Sequence, residues 1–280
     1  MHSFNRKILI LAFTIILAIS LSGIWYYKKT HPQYAPIPPR PEIMITIIPG
    51  WNLRQVAEYL VKQGFASSTG DVYKLTGKPA VDYRKLGIIL PRINESSVVS
   101  YKPGYVSYEG FLAPETYRIF KDASLLDVIK KLINQRDKEM DGKMWEDVKN
   151  SGRGFYEILT MASLLEEEVQ NPDDKAKVAD ILWRRYDKNW ALQLDSSVHY
   201  AIDKTGNVFT TNKERSFDSL WNTYKYPGLP PGPIANPGLS SIKAALSPEK
   251  NNYWYFLTGK DGAVYYAKTL DEHNLNKRKL

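Results

Sequence analysis

The chain has 280 residues, 43% hydrophobic and 24% charged, a composition that supports a packed core and sets disorder aside as the default. Its formal net charge of +8 sits at the two ends: Arg6, Lys7, Lys28, Lys29 and Arg40 precede Glu42 with no acid among them, and Lys277, Arg278 and Lys279 follow Asn276. Residues 42–276 are therefore neutral, which argues against the basic stripe of a nucleic-acid-binding body, and the lack of cysteine excludes thiolate zinc sites and a disulfide framework.

Residues 1–7 form a short basic tail. An uncharged apolar run from Ile8 to Ile24 follows, then Trp25, Tyr26 and Tyr27, so residues 8–27 match the roughly 20 needed for a transmembrane helix with an aromatic interface. A cleaved signal peptide is the alternative reading; its apolar region is usually about 7 to 15 residues, though Ala18-Ile19-Ser20 is compatible with cleavage. Basic residues flank both sides of the run. All of the chain able to fold lies after it, so a cytoplasmic tail with an exported body is the simpler orientation. Residues 28–41 read as a linker, with Pro32, Pro36, Pro38, Pro39 and Pro41 spaced for an extended, semi-rigid polyproline spacer.

Glu42 to Ile48 reads as a strand, Pro49-Gly50 as a turn and Asn52 as a helix cap, after which Leu53, Val56, Ala57, Leu60 and Val61 share one helical face ending at Gly64. This small unit fits either a glycan-binding module or a lid. From Val98 the pattern becomes aromatic-rich, with Tyr101, Tyr105, Tyr108, Phe111 and Tyr117 broken by Pro103-Gly104 and Pro114, and suggests strands and turns. Such aromatics stack on sugar rings but more often pack cores. Further on, Tyr253–Leu257 and Ala263–Ala267 flank Thr258-Gly259-Lys260-Asp261-Gly262, a β-hairpin signal. With helices between, the body is expected to be α+β.

The informative helix runs from about Phe155 to Gln170. Ile158, Met161, Ala162, Leu165 and Val169 form an apolar stripe, Glu167 points away from it, and Glu166 and Glu168 flank it on opposite edges. Glu168 has Leu164 and Met161 at i−4 and i−7. A carboxyl at such a margin is partly desolvated, which raises its pKa and suits it to act as a general acid near neutrality. The helix is expected to stop before Asn171-Pro172, where Asn171 caps the next helix. Three glutamates then crowd a helix C-terminus, where the macrodipole disfavours negative charge. Periodicity alone leaves a solvated acidic edge as an equal reading.

Four segments resemble the signature blocks of the YceG-like endolytic transglycosylases: Met161 to Glu168, Leu192 to Val198, Trp221 to Tyr224 and Gly228 to Gly238. Glu109-Gly110-Phe111 with Pro114 to Tyr117 resembles the block that opens the family's catalytic domain, and His273-Asn274 one near its end. The resemblance implies an α+β fold with a transmembrane helix, a small LysM-like module at 42–100 and a YceG-like catalytic domain at 101–280. It implies endolytic cleavage of the MurNAc-β-1,4-GlcNAc bond of peptidoglycan with formation of 1,6-anhydro-MurNAc ends, a lyase reaction that needs no cofactor and acts on nascent strands to end chain elongation. Glu168 carries over as general acid and base, with Glu166 as the fallback, and Gln193, Asp195, Asn222, Tyr224 and Glu109 as saccharide-binding candidates. Each of these could instead be structural, and Asn222 suits a turn equally well. The Gly228–Gly238 loop is expected to line the cleft.

Three departures stand out. Val169 follows Glu168 where the family usually has threonine or serine, Arg184 stands where asparagine is usual, and the region before Glu109 is short, which implies lower glycan affinity. By resemblance the partners are peptidoglycan strands and the synthases of elongation or division, at a bacterial cytoplasmic membrane with the body outside. His2, His31, His199 and His273 lack metal-ligand spacing, and no nucleophile-elbow or phosphate-binding glycine motif occurs. Two rival readings remain: an inactive glycan-binding scaffold, and a muramidase-type hydrolase pairing Glu168 with Asp195 or Glu109.

Overall fold

A computed structural model describes residues 2–31, 39–205, 210–259 and 261–279. The chain divides into two compact units, residues 1–41 and Glu42–Leu280. In the first, helix α1 (His2–Thr30) takes in the expected apolar run, and Ile8–Thr30 is long and apolar enough to cross a membrane, with none of its most apolar window buried. The helix runs past residue 27, so Lys28 and Lys29 belong to its last turn, where cations favour the carbonyl end. The expected linker start at residue 28 is corrected accordingly. Of its prolines, Pro32, Pro36 and Pro38 lie outside the described residues.

The second unit opens with β1 (Glu42–Thr46), whose alternation turns Ile45 into the core and leaves Met44 outside. The next elements are α2 (Leu53–Lys62), α3 (Thr69–Thr76), α4 (Ser97–Ser100) and β2 (Thr116–Phe120). Asn52 caps α2 by accepting from the Arg54 and Gln55 amides, and the Gln55 side chain accepts from the Asn52 amide in return. The face expected from the spacing is buried: Leu53, Val56, Ala57 and Leu60 are wholly inaccessible, each worth about 1–3 kcal/mol.

β1 pairs antiparallel with β2, Glu42 opposite Phe120 and Thr46 opposite Thr116. Because the first strand has its partner beyond residue 100, the expected module at 42–100 and the expected domain at 101–280 pack as one body. The aromatic stretch yields one strand, β2; the rest is turns. Tyr108 and Phe111 are fully buried and Tyr117 nearly so, which makes them core, while Tyr101 stays exposed. Gly110 holds φ +84°, and a Cβ there would lie 2.6 Å from Pro233 Cγ, so this turn admits only glycine.

The helical layer contains α5 (Leu125–Glu139), α6 (Gly142–Asn150), α7 (Phe155–Glu168), α8 (Pro172–Asp187), α9 (Asp195–Ile202), α10 (Asn212–Arg215) and α11 (Leu239–Leu246). α7 is its centre. Packed chiefly against α11 and α8, it buries Ile158 through Leu165 on every side, more than the single stripe the spacing predicts. It stops at Glu168, two residues early, because Val169 is already extended ahead of Asn171-Pro172. Asn171 then caps α8 as expected, accepting from the Asp173 amide at 3.0 Å.

The chain closes with the expected hairpin, β3 (Tyr255–Thr258) and β4 (Val264–Ala267), followed by α12 (Leu270–Lys277). Gly262, at φ +80°, supplies the left-handed residue of the turn, and Lys260 lies outside the described residues.

Candidate active site

Three elements meet at the end of α7. The half-buried Glu168 carboxyl accepts from Ser196 at the start of α9, through Oε1, from the hydroxyl at 2.6 Å and the amide at 3.3 Å. Its main-chain carbonyl accepts from the Thr258 hydroxyl at 2.8 Å, where β3 ends. Its other oxygen, Oε2, makes no hydrogen bond among the described residues. Burial pushes the Glu168 pKa up, and the Ser196 hydroxyl and amide pull it partly back. One oxygen is oriented and the other is left for a ligand, the arrangement a proton donor needs.

The neighbouring glutamates do different work. Glu166 Oε2 accepts from the Gly238 amide at 3.0 Å and from the Ser241 hydroxyl, so it caps α11, and it pairs with the buried Lys175 at 3.2 Å. Lys175 offsets the negative charge crowded at the end of α7. Glu166 is thus committed to holding two helices. Glu167 is exposed, pointing away as the periodicity predicts, beside the Pro49-Gly50 turn.

Asp195, first in α9, accepts from the Tyr224 hydroxyl at 2.6 Å and from Arg215 at 3.3 Å, and the Arg215 guanidinium lies 4.9 Å from the centre of the Tyr224 ring. Gln193 stands exposed in the left-handed region at φ +58°. Its amide and that of Leu194 bond to Thr223, whose hydroxyl also meets that of Ser197 at 2.8 Å. Thr223 so fastens the Trp221–Tyr224 segment against α9. Asp195 and Tyr224 therefore act on Glu168 as near neighbours, while Gln193 is placed only by its bond to Thr223.

Two expected sugar-binding residues serve the fold instead. Asn222 is fully buried: its amide donates to the Arg215 and Phe217 carbonyls, and its oxygen accepts from the Tyr224 amide. It shapes the loop that presents Tyr224. Glu109, 2% exposed, accepts from the Leu53 amide with both oxygens, from Tyr200 at 3.0 Å and from Asn236 at 3.4 Å. It bolts α2 and α9 to the 228–238 loop and has no path to a ligand. That loop is a brace as well: residues 232–237 are buried, Ile234 bonds Ser163, and Asn236 bonds Trp51 and Leu112. Its backbone amides and carbonyls are turned inward, where its prolines leave few donors to satisfy.

Ser196 and Thr258 escape notice in the sequence because nothing in their spacing from Glu168 signals contact. Ser196 does answer one departure, since it supplies the hydroxyl that Val169 lacks. Arg185, whose pKa burial lowers to about 10, joins the segment before α9 to the start of β3 by donating to the Leu192 carbonyl at 2.8 Å and to that of Trp254. Arg184 is paired with Asp180 at 2.8 Å.

Fold and site together define an α+β body organised around one oriented acid at the end of a buried helix. The chain belongs to the YceG-like family, whose model matches residues 29–279. It is 37% identical over 236 residues to the endolytic murein transglycosylase of Bacillus subtilis, covering 84% of this chain and 64% of that one. The enzyme of that name from Streptococcus pneumoniae is 27% identical over 240 residues, covering 83% of this chain and 43% of its own length. The chain thus spans less than two thirds of the length of these relatives. A crystal structure of a YceG-like protein from Listeria monocytogenes superposes with a TM-score of 0.69 at 34% identity, covering 86% of this chain and 76% of that one.

Proposed function

We propose that this chain is a membrane-anchored lytic transglycosylase that cleaves the MurNAc-β-1,4-GlcNAc bond within peptidoglycan strands, with Glu168 as its acid and then its base. The observation that carries this reading is the Glu168 carboxyl, bonded through one oxygen to Ser196 and making no hydrogen bond at the other among the described residues. Protonated Glu168 gives its proton to the glycosidic oxygen as the C1–O4 bond breaks. The resulting carboxylate takes the proton of the same sugar's C6 hydroxyl while O6 bonds to C1. The muramoyl end closes as a 1,6-anhydro ring, Glu168 is protonated again and no water is consumed.

A hydrolase would need a second carboxylate at a set separation. Neither candidate is free: Asp195 is tied to Tyr224 and Arg215, and Glu109 is sealed in the core. An internal nucleophile removes that need. Gln193, Asp195 and Tyr224 then bind the saccharide, α1 anchors the chain in the cytoplasmic membrane, and the body lies outside it, where the synthases of elongation or division supply nascent strands.

The test is mass spectrometry of purified peptidoglycan digested by the full chain. Anhydro-muramoyl ends, lacking the mass of one water, are expected; free reducing ends would make it a hydrolase, and binding without new ends would make it a scaffold. Ser196→Ala should separate positioning from chemistry. Loss of its hydroxyl destabilises the Glu168 carboxylate and raises its pKa, so the alkaline fall in rate should move to higher pH while the maximal rate drops about 10-fold. An unmoved pH profile would show that Ser196 does not act on the acid.

A further inference from the structure

The 3-10 turn Tyr83–Leu86 and the residues after it make a projection that displays apolar side chains to solvent. Leu86 is 61% exposed, Ile88 45% and Ile89 82%. Their backbone is pinned: the Tyr83 amide donates to Tyr105 O at 2.8 Å, that of Ile88 to Tyr83 O at 3.1 Å and that of Leu90 to Gly104 O at 2.7 Å. Gly87 makes the reversal at φ +65°. The exposure is therefore built into a fixed frame. Single exposed aliphatics are ordinary, but three within four positions on a pinned loop mark a contact surface.

Charge says what kind of contact. Residues 78–92 hold four cations, Lys78, Arg84, Lys85 and Arg92, and one acid, Asp82, whereas residues 42–276 taken together are neutral. Asp82 lies behind the tip, bonded to Arg84 at 2.7 Å, while Lys85 and Arg92 are exposed on either side of the isoleucines. Asp218 lies close enough to act on Lys85 and is itself paired with Lys225 at 2.8 Å, and Glu95 follows three residues after Arg92.

We propose that the 84–92 projection docks on an anionic lipid surface, with Leu86, Ile88 and Ile89 entering the acyl boundary and Lys85 and Arg92 meeting the headgroup phosphates. An apolar tip within a cationic collar is the pattern of interfacial insertion. Residues 31–41 reach at most about 3.6 Å each, some 40 Å in all, which bounds how far Glu42 can lie from the end of α1. This rests on α1 being a membrane span; the catalytic assignment plays no part in it.

The chain has no cysteine, so Ile89→Cys in the full chain carries a single environment-sensitive fluorophore. Reconstituted in phosphatidylcholine vesicles containing phosphatidylglycerol, the label should shift to the blue and be quenched by nitroxide-bearing lipid. Both effects should weaken without phosphatidylglycerol and be lost when Lys85→Glu and Arg92→Glu are added. A label at Lys149→Cys, exposed on α6, should stay water-like. A water-like label at position 89 in vesicles that carry the protein on flotation would overturn the proposal. So would a shift indifferent to phosphatidylglycerol, or one that fades as protein is diluted at constant lipid, which would assign the loop to a second copy. Protein that fails to float would remove the anchor and the proposal with it.

Discussion

Glu168→Gln is expected to cut the formation of anhydro-muramoyl ends by about 10²- to 10⁴-fold, the usual loss when a general acid–base group is removed. The loss should be at the upper end, because one carboxyl serves both proton transfers and the amide can perform neither. The fold should be unaffected, since the glutamine oxygen still accepts from Ser196. Rates of end formation measured by mass spectrometry, together with an unchanged thermal midpoint, check both halves. Glu166→Gln should behave in the opposite way, weakening the α11 cap and leaving the buried Lys175 without its carboxylate. Anhydro ends that survive in Glu168→Gln and vanish in Glu166→Gln would transfer the role.

Glu109→Ala is expected to destabilise the body by about 3–5 kcal/mol, because the Leu53 amide, the Tyr200 hydroxyl and the Asn236 amide lose their buried acceptor together. For a unit of this size that is a fall in thermal midpoint on the order of 10 °C. Substrate affinity in the surviving folded fraction should be unchanged, whereas a sugar-binding Glu109 would raise KM. The same residue sets a pH dependence. Burial pushes the Glu109 carboxyl up to about 8 against the opposing bonds from Leu53 and Tyr200. Between its ordinary 4.5 and 8 the folded chain keeps a proton that the unfolded chain releases. This contribution is fully present below pH 4.5 and is lost as pH rises through 8, with a slope of up to about 1.4 kcal/mol per pH unit. Glu109→Gln carries no such proton, so the wild-type midpoint should fall more steeply than that of Glu109→Gln between pH 5 and 8. Parallel curves would refute it.

What the sequence discloses follows the range of the interactions involved. The Asn52 and Asn171 caps, the α2 face and the C-terminal hairpin depend on neighbours within a few positions; the caps fall where the pattern places them, the α2 face is buried except at Val61, and the hairpin's first strand is shifted to Tyr255–Thr258. The α7 stripe was legible as amphipathic, but its burial on all sides depends on α8 and α11, whose approach no spacing within the helix records. The site divides in the same way. Glu168 is marked by its position at the edge of an apolar face and by the family blocks, while Ser196 and Thr258, 28 and 90 residues away, become its partners only through the tertiary fold. Glu109 and Asn222 illustrate the converse: a carboxyl or amide reads the same in sequence whether it faces a ligand or holds a core together.

β1 begins at Glu42, directly after the linker, and its five residue pairs with β2 run antiparallel. A load applied to Glu42 along the chain would pull β1 lengthwise. Hydrogen bonds of the ladder run across the strands, so such a pull loads them in shear and they share the force instead of opening in turn. The strand pair would act as a clamp at the head of the body, sharing such a load across its five residue pairs.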